Sequence, residues 1–166
     1  MTYTNCKLYK LQSKKGLNYL LGLTDKIYYQ QVFLCANYNV YITKDKRPRL
    51  IEAPSDDIKK IQSKIKNLLS DIDIPYYVFS GVRGKSYVDN AKLHQGNKYV
   101  FKVDISGFFP CIRRDRVYSF FNNELKTSPD VAEILTNLTT IDLSLCKIGD
   151  VTSVEKFILE KGITTR

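Results

Sequence analysis

The sequence predicts a mixed α+β fold, on three observations. Residues 39–43 and 99–105 alternate apolar with polar or opposite-facing side chains, the period of a half-buried strand. Residues 58–69 and 131–138 repeat apolar side chains every three or four positions, the period of a helix laid on a core. No repeat or low-complexity stretch separates these regions, so strands and helices belong to one continuous unit.

Taken in order, residues 8–35 are apolar at helix-like intervals and predict two short helices broken at Gly16 and Gly22. In the next stretch Val40 and Ile42 alternate with Asn39, Tyr41 and Thr43, which predicts a strand. Residues 44–49 read as a turn and residues 50–53 as the returning strand, which makes a basic hairpin. After Pro54, Ser55 is a helix N-cap with Asp56 and Asp57 in the first turn. Ile58, Ile61, Ile65, Leu68 and Leu69 form the buried face of that helix, with its lysines elsewhere. Tyr99, Phe101, Val103 and Ile105 line one side of a predicted strand, and Val100, Lys102 and Asp104 the other. Val117, Phe120, Phe121 and Leu125 then predict a helix, and Ser128-Pro129-Asp130 starts another with Val131, Ile134, Leu135 and Leu138 inward. From Ile141 onward the periodicity weakens, and a short strand pair is expected.

Composition limits the function classes. The 166 residues are 43% apolar and 12% aromatic, too much for a disordered chain. There is no apolar signal region behind the first charges and no run long enough to span a membrane, so a cytoplasmic location is expected. The four cysteines contain no CxxC pair, which argues for reduced thiols rather than a zinc site. Net charge is +9, unevenly spread: residues 1–116 hold 21 basic and 10 acidic side chains, and residues 117–166 hold 5 and 7. Eleven of twelve tyrosines lie at or before Tyr99, so cations and aromatic rings share the front two-thirds. That pairing suits a phosphate backbone with stackable bases, although a solvated basic surface over core aromatics has the same composition.

Three stretches have chemical potential. Lys44, Lys46, Arg47 and Arg49 crowd the hairpin tip, where a triphosphate could be gripped by forked and point-charge donors, or where a basic turn is merely solvated. Residues 80–86, Ser-Gly-Val-Arg-Gly-Lys-Ser, resemble a P-loop only at their end, because Phe79 stands where that motif needs its first glycine. A glycine-loosened cationic loop near a phosphate, or an ordinary turn, remains. Asp104 leaves the predicted strand near its C-terminal end, where a carboxylate can hold Mg²⁺ with the carbonyl of Ile105 beside it, or can simply end a turn. Asn90 and His94, four apart, lack the partners of a zinc site and fit a structural or nucleic-acid hydrogen-bonding role.

In sequence these pieces resemble the front half of a bacterial reverse transcriptase, an RNA-directed DNA polymerase of the retron and group II intron kind. Residues 46–54 with the helix after them are similar to the first fingers motif, residues 79–86 to the second, and residues 103–112 to polymerase motif A. Residues 90–94, Asn-Ala-Lys-Leu-His, lean toward the retron branch. The resemblance implies a right-hand polymerase fold: an N-terminal helical segment over 1–37, fingers over 38–98 and a partial palm over 99–166. It implies that Asp104 and the Ile105 carbonyl bind catalytic Mg²⁺, and that Lys46 and Arg49 grip the incoming deoxynucleoside triphosphate. Phe109 would be the gate that crowds a 2′-hydroxyl, while Arg83, Lys85, Ser86, Asn90 and His94 would lie along an RNA template and a DNA or RNA primer. A role in retron DNA synthesis or antiviral defence comes with the same resemblance.

The family's Pro-Gln-Gly-like segment, its Tyr-x-Asp-Asp turn and its thumb have no counterpart in these residues. Asp104 alone cannot offset the repulsion of two divalent ions, so the chain is expected to be inactive by itself. It is expected to be an excised fingers and partial palm, or half of a split polymerase that needs its C-terminal half in trans. A non-catalytic nucleic-acid-binding module on the same fold is the alternative.

Overall fold

The computed structural model describes residues 2–24, 30–105, 108, 111–146 and 153–154. Six α-helices and two strands appear in these residues: α1 (Lys14–Leu21), α2 (Gln31–Ala36), β1 (Tyr38–Ile42), β2 (Leu50–Pro54), α3 (Asp56–Leu69), α4 (Tyr87–Lys92), α5 (Arg114–Ser119) and α6 (Pro129–Thr139). The fold is therefore mixed, helices with one small sheet, as the sequence predicts. No described helix is long and apolar enough to cross a membrane.

α6 lies at the centre of the core. Ser128 caps it by accepting from the Val131 amide at 3.3 Å, and Pro129 sits in its first turn, where a missing N–H costs nothing. Val131, Ile134, Leu135 and Leu138 are all buried, the face the spacing predicts, and Ala132, Thr136 and Asn137 are buried as well. The Thr136 hydroxyl hides its polarity by donating back to the Ala132 carbonyl at 2.7 Å. Against α6 pack α1 through Leu17 and Leu21 and α3 through Ile58, Ile61 and Ile65, joined by Leu8 from the N-terminal turns. Burying each such aliphatic side chain contributes roughly 1.5–3 kcal/mol.

Two expectations about helix ends need correction. Gly16 does not break α1: its amide donates to the Ser13 side chain that caps that helix, and only Gly22, with φ of 64°, ends it. A left-handed residue at that place halts the helix, and a Cβ there would meet the Lys64 ammonium at 2.8 Å. Ser55 holds the N-cap position of α3 through its backbone only, and its buried hydroxyl has no hydrogen-bond partner among the described residues. The first turn of α3 relies instead on Asp56 and Asp57, each ion-paired with a lysine three residues on.

β1 and β2 form the predicted antiparallel hairpin, with Tyr38 opposite Pro54 and Ile42 opposite Leu50. Its inner residue Val40 packs on Leu143 and Val154 in a second, smaller apolar cluster. The strand expected over residues 99–105 does not form. Tyr99, Phe101, Val103 and Ile105 stand 83, 90, 71 and 64% exposed in irregular backbone. Alternation prepares a strand, but a strand also needs a hydrogen-bonding neighbour, and among the described residues no strand pairs with this segment. The helix expected around Val117–Leu125 forms as α5, which loosens into a π-helical turn at Phe120–Glu124 that buries Phe121. Most of the stretch expected to hold a terminal strand pair lies outside the described residues, and its described part makes a short 3₁₀ turn at Leu143–Leu145.

All four cysteines are free, Cys6 and Cys35 buried, Cys146 half-buried and Cys111 exposed. Burial, with the nearby Cys35, pushes the Cys146 thiol up to about 12. A thiol reagent at neutral pH should thus modify one cysteine rapidly and the others only on unfolding; two or more fast equivalents would contradict this arrangement. Leu135→Ala should cost roughly 2–5 kcal/mol in urea denaturation, since it opens a cavity in the most buried helix.

Candidate nucleic-acid and nucleotide interface

The cationic tip of the hairpin occupies residues 43–49, between the strands. Its base is fixed where the Thr43 amide donates to the Arg49 carbonyl at 2.9 Å and the Arg49 amide donates to the Thr43 hydroxyl at 3.0 Å. Lys44, Lys46, Arg47 and Arg49 are all exposed there, so four cations share one short projection. Repulsion among them is relieved by water and by anions, which is the electrostatic condition for collecting a polyphosphate.

A second cationic element follows α3. Residues 75–86 fold into consecutive turns: Val78 N–H to the Pro75 carbonyl at 3.0 Å, Val82 N–H to Phe79 at 3.5 Å and Lys85 N–H to Val82 at 3.2 Å. Gly81 and Gly84 take φ of 72° and 79°, open to glycine and strained for other residues. Arg83 is exposed on this loop. Lys85 is half-buried as a residue, and its ammonium donates to the carbonyls of Tyr76 at 2.6 Å and Val78 at 2.9 Å.

The loop feeds α4 through a reciprocal cap. The Ser86 hydroxyl accepts from the Asp89 amide at 3.2 Å, and the Asp89 carboxylate accepts from the Ser86 amide at 2.9 Å and from its hydroxyl at 2.6 Å. These hydrogen bonds hold the Asp89 carboxyl below its usual range. Asn90 lies in α4, whereas His94 lies beyond its end in a turn where its amide donates to the Ala91 carbonyl at 3.0 Å. Asn90 and His94 are exposed but do not share a helix face.

Asp104 and Ile105 are exposed in the irregular segment after these turns, and Phe109 lies outside the described residues. A carboxylate and a carbonyl are the hard oxygen donors Mg²⁺ prefers. Their number does not fit a pair of ions, because among the described residues no three His, Cys, Asp or Glu side chains cluster to hold a metal. Farther along, Arg113 pairs with Asp115 at 3.3 Å beside an open hollow lined by Cys111, Ile112, Arg116 and Ser119. Arg114 is taken up by α6, where it reaches Glu133 and donates to the Asn137 side chain at 2.7 Å.

The structure thus separates residues that sequence reasoning grouped together. Lys46, Arg49 and Arg83 have exposed side chains, but Lys85 and Ser86 are engaged in shaping their own backbone. The signal for the cap is the Ser-x-x-Asp spacing of residues 86–89. The exposed rings of Tyr76, Tyr77 and Tyr87 were legible only as composition.

Comparison with known proteins defines a class: over about three-fifths of its length the chain is similar to reverse transcriptases. More particularly, the relatives it resembles are retron reverse transcriptases. The chain is 37% identical over 106 residues to the retron Se72 reverse transcriptase of Salmonella heidelberg, covering 63% of this chain and 28% of that protein. It is 33% identical over 110 residues to the retron Ec48 reverse transcriptase of Escherichia coli, covering 59% and 27%. It is 24% identical over 106 residues to the retron Ec86 reverse transcriptase of the same species, covering 61% and 33%. The chain therefore spans at most about a third of the length of these relatives. No protein-family model and no solved structure matches it.

The Asp89 cap carries a pH signature. Its folded pKa lies below the unfolded value of about 3.9, so its stabilisation is complete above that value and disappears as pH falls through the folded pKa. Amide protection at the start of α4 should fade across that acid window, and Asp89→Asn should weaken it at neutral pH and flatten the acid dependence. Equal protection in both proteins at neutral pH would mean the cap contributes nothing.

Proposed function

We propose that this chain is the fingers and first part of the palm of a retron-type RNA-directed DNA polymerase. In this reading residues 1–37 form the N-terminal helical segment, 38–98 the fingers and 99–166 the partial palm. The observation that carries it is the 37% identity to a retron reverse transcriptase over 106 residues. The exposed cations of the 43–49 tip support it, because Lys46 and Arg49 can pair with the phosphates of a deoxynucleoside triphosphate. Arg83 and the exposed polar groups of Asn90 and His94 would follow the template and primer backbone. Asp104 would supply one of several carboxylates for the Mg²⁺ pair, and the remainder of the polymerase would supply the others.

By itself the chain binds nucleic acid and does not extend a primer, since one carboxylate cannot balance two divalent ions. Incubated with a primed RNA template, magnesium and deoxynucleotides, it should leave the primer at its starting length, and extension would overturn this. Its RNA affinity should fall steeply with added salt; weak dependence would count against a phosphate-binding surface. In a polymerase that includes these residues, Asp104→Ala should abolish synthesis with RNA binding nearly unchanged, and Phe109→Ala should admit ribonucleotides. Full synthesis by the Asp104→Ala enzyme would instead favour a non-catalytic binding module.

A further inference from the structure

We infer that Lys85 is a positioning residue, whose ammonium holds the 76–85 loop closed so that Tyr76, Tyr77 and Arg83 are presented to single-stranded nucleic acid. The inference rests on the proposed reading of this region as a nucleic-acid surface, and it changes what Lys85 does there. A lysine contacting phosphate needs its head in solvent. Lys85 has two of its three donors committed to main-chain carbonyls, at 2.6 Å to Tyr76 and 2.9 Å to Val78. The same ammonium lies 4.8 Å from the centre of the Phe79 ring, a cation–π contact on its remaining side. To reach a phosphate it would have to release both carbonyls and the ring together.

What the clamp holds is a loop with few other restraints. No described heavy atom lies within 4 Å of where a Cβ would stand on Gly81 or Gly84, so neighbouring elements do not press on those turns. Lys85 bridges from the end of the loop to its beginning, nine and seven residues back, and fixes the backbone of Tyr76 directly. Tyr76 and Tyr77 are 80 and 66% exposed and meet edge to face, with ring centres 5.5 Å apart. Exposed aromatic rings and an exposed guanidinium on one loop are the parts of a sequence-tolerant stacking surface: rings take bases, and Arg83 takes the backbone. Holding such a loop in place before binding lowers the ordering cost on binding.

Salt titration of binding separates positioning from contact. The probe is a short labelled oligouridylate, measured by fluorescence anisotropy against the full chain at several salt concentrations. Arg83→Ala should weaken binding and reduce the salt slope by about 0.7, the loss of one phosphate contact on a single strand. Tyr77→Ala should weaken binding by roughly tenfold with the slope kept. Lys85→Met should weaken binding several-fold, also with the slope kept, and should speed amide hydrogen exchange across residues 76–85 without lowering the melting temperature. A lysine that merely supported the fold would not move RNA affinity at constant melting temperature. If Lys85→Met lowered the slope as Arg83→Ala does and left exchange unchanged, Lys85 would be a phosphate contact and the inference overturned. If the unsubstituted chain bound no RNA, the nucleic-acid reading and the presentation role would fall together, while hydrogen exchange would still decide whether the clamp exists.

Discussion

The carboxamide of Gln62 ties together elements that hydrophobic burial alone would leave free to slide. Its nitrogen has two protons, one donated to the Tyr38 hydroxyl at 2.7 Å and the other to the Leu138 carbonyl at 3.0 Å. Tyr38 begins β1, and Leu138 stands near the end of α6, whose last carbonyls have no helical partner. One side chain of α3 therefore sets both where the hairpin leaves the helical core and where the central helix stops. Apolar contacts among Ile61, Ile65, Leu135 and Leu138 supply most of the energy, but they are non-directional. The polar bridge sets the register, and the cationic tip of the hairpin inherits its position from it.

The N-terminal segment is locked by a comparable exchange. The Lys10 amide donates to the Leu125 carbonyl at 2.7 Å, the Ser128 amide to the Leu11 carbonyl at 3.1 Å, and the Gln12 side chain to the Lys126 carbonyl at 2.8 Å. Lys10 and Lys126 are the described non-glycine residues with positive φ, 57° and 55°, and they turn the chain at this crossing. The strain is held by the surroundings, with Leu8 and Leu125 fully buried on either side.

Legibility in the sequence followed locality. α3, α6 and the hairpin were readable because periodicity, a proline and a turn of known chemistry all act within a few residues. Residues 99–105 were misread because strand formation depends on a partner that alternation does not contain. Lys85 shows a related limit: its charge is visible in sequence, but the carbonyls that accept from its ammonium are set by the turns of a folded loop. For the interface, residue types marked which side chains are charged, and folding determined which of them keep that charge available.

The unpaired row at residues 99–105 also affects how the molecule behaves as a material. Tyrosine, phenylalanine, valine and isoleucine recur at every second position of a segment with no glycine or proline, the composition from which intermolecular sheets nucleate. Lys98, Lys102 and Asp104 interrupt it with charge and act as gatekeepers against stacking of like chains. Because the chain carries a net charge of +9, repulsion between molecules comes from Lys98 and Lys102 and Asp104 offsets part of it, so neutralising either lysine would leave a more adhesive segment.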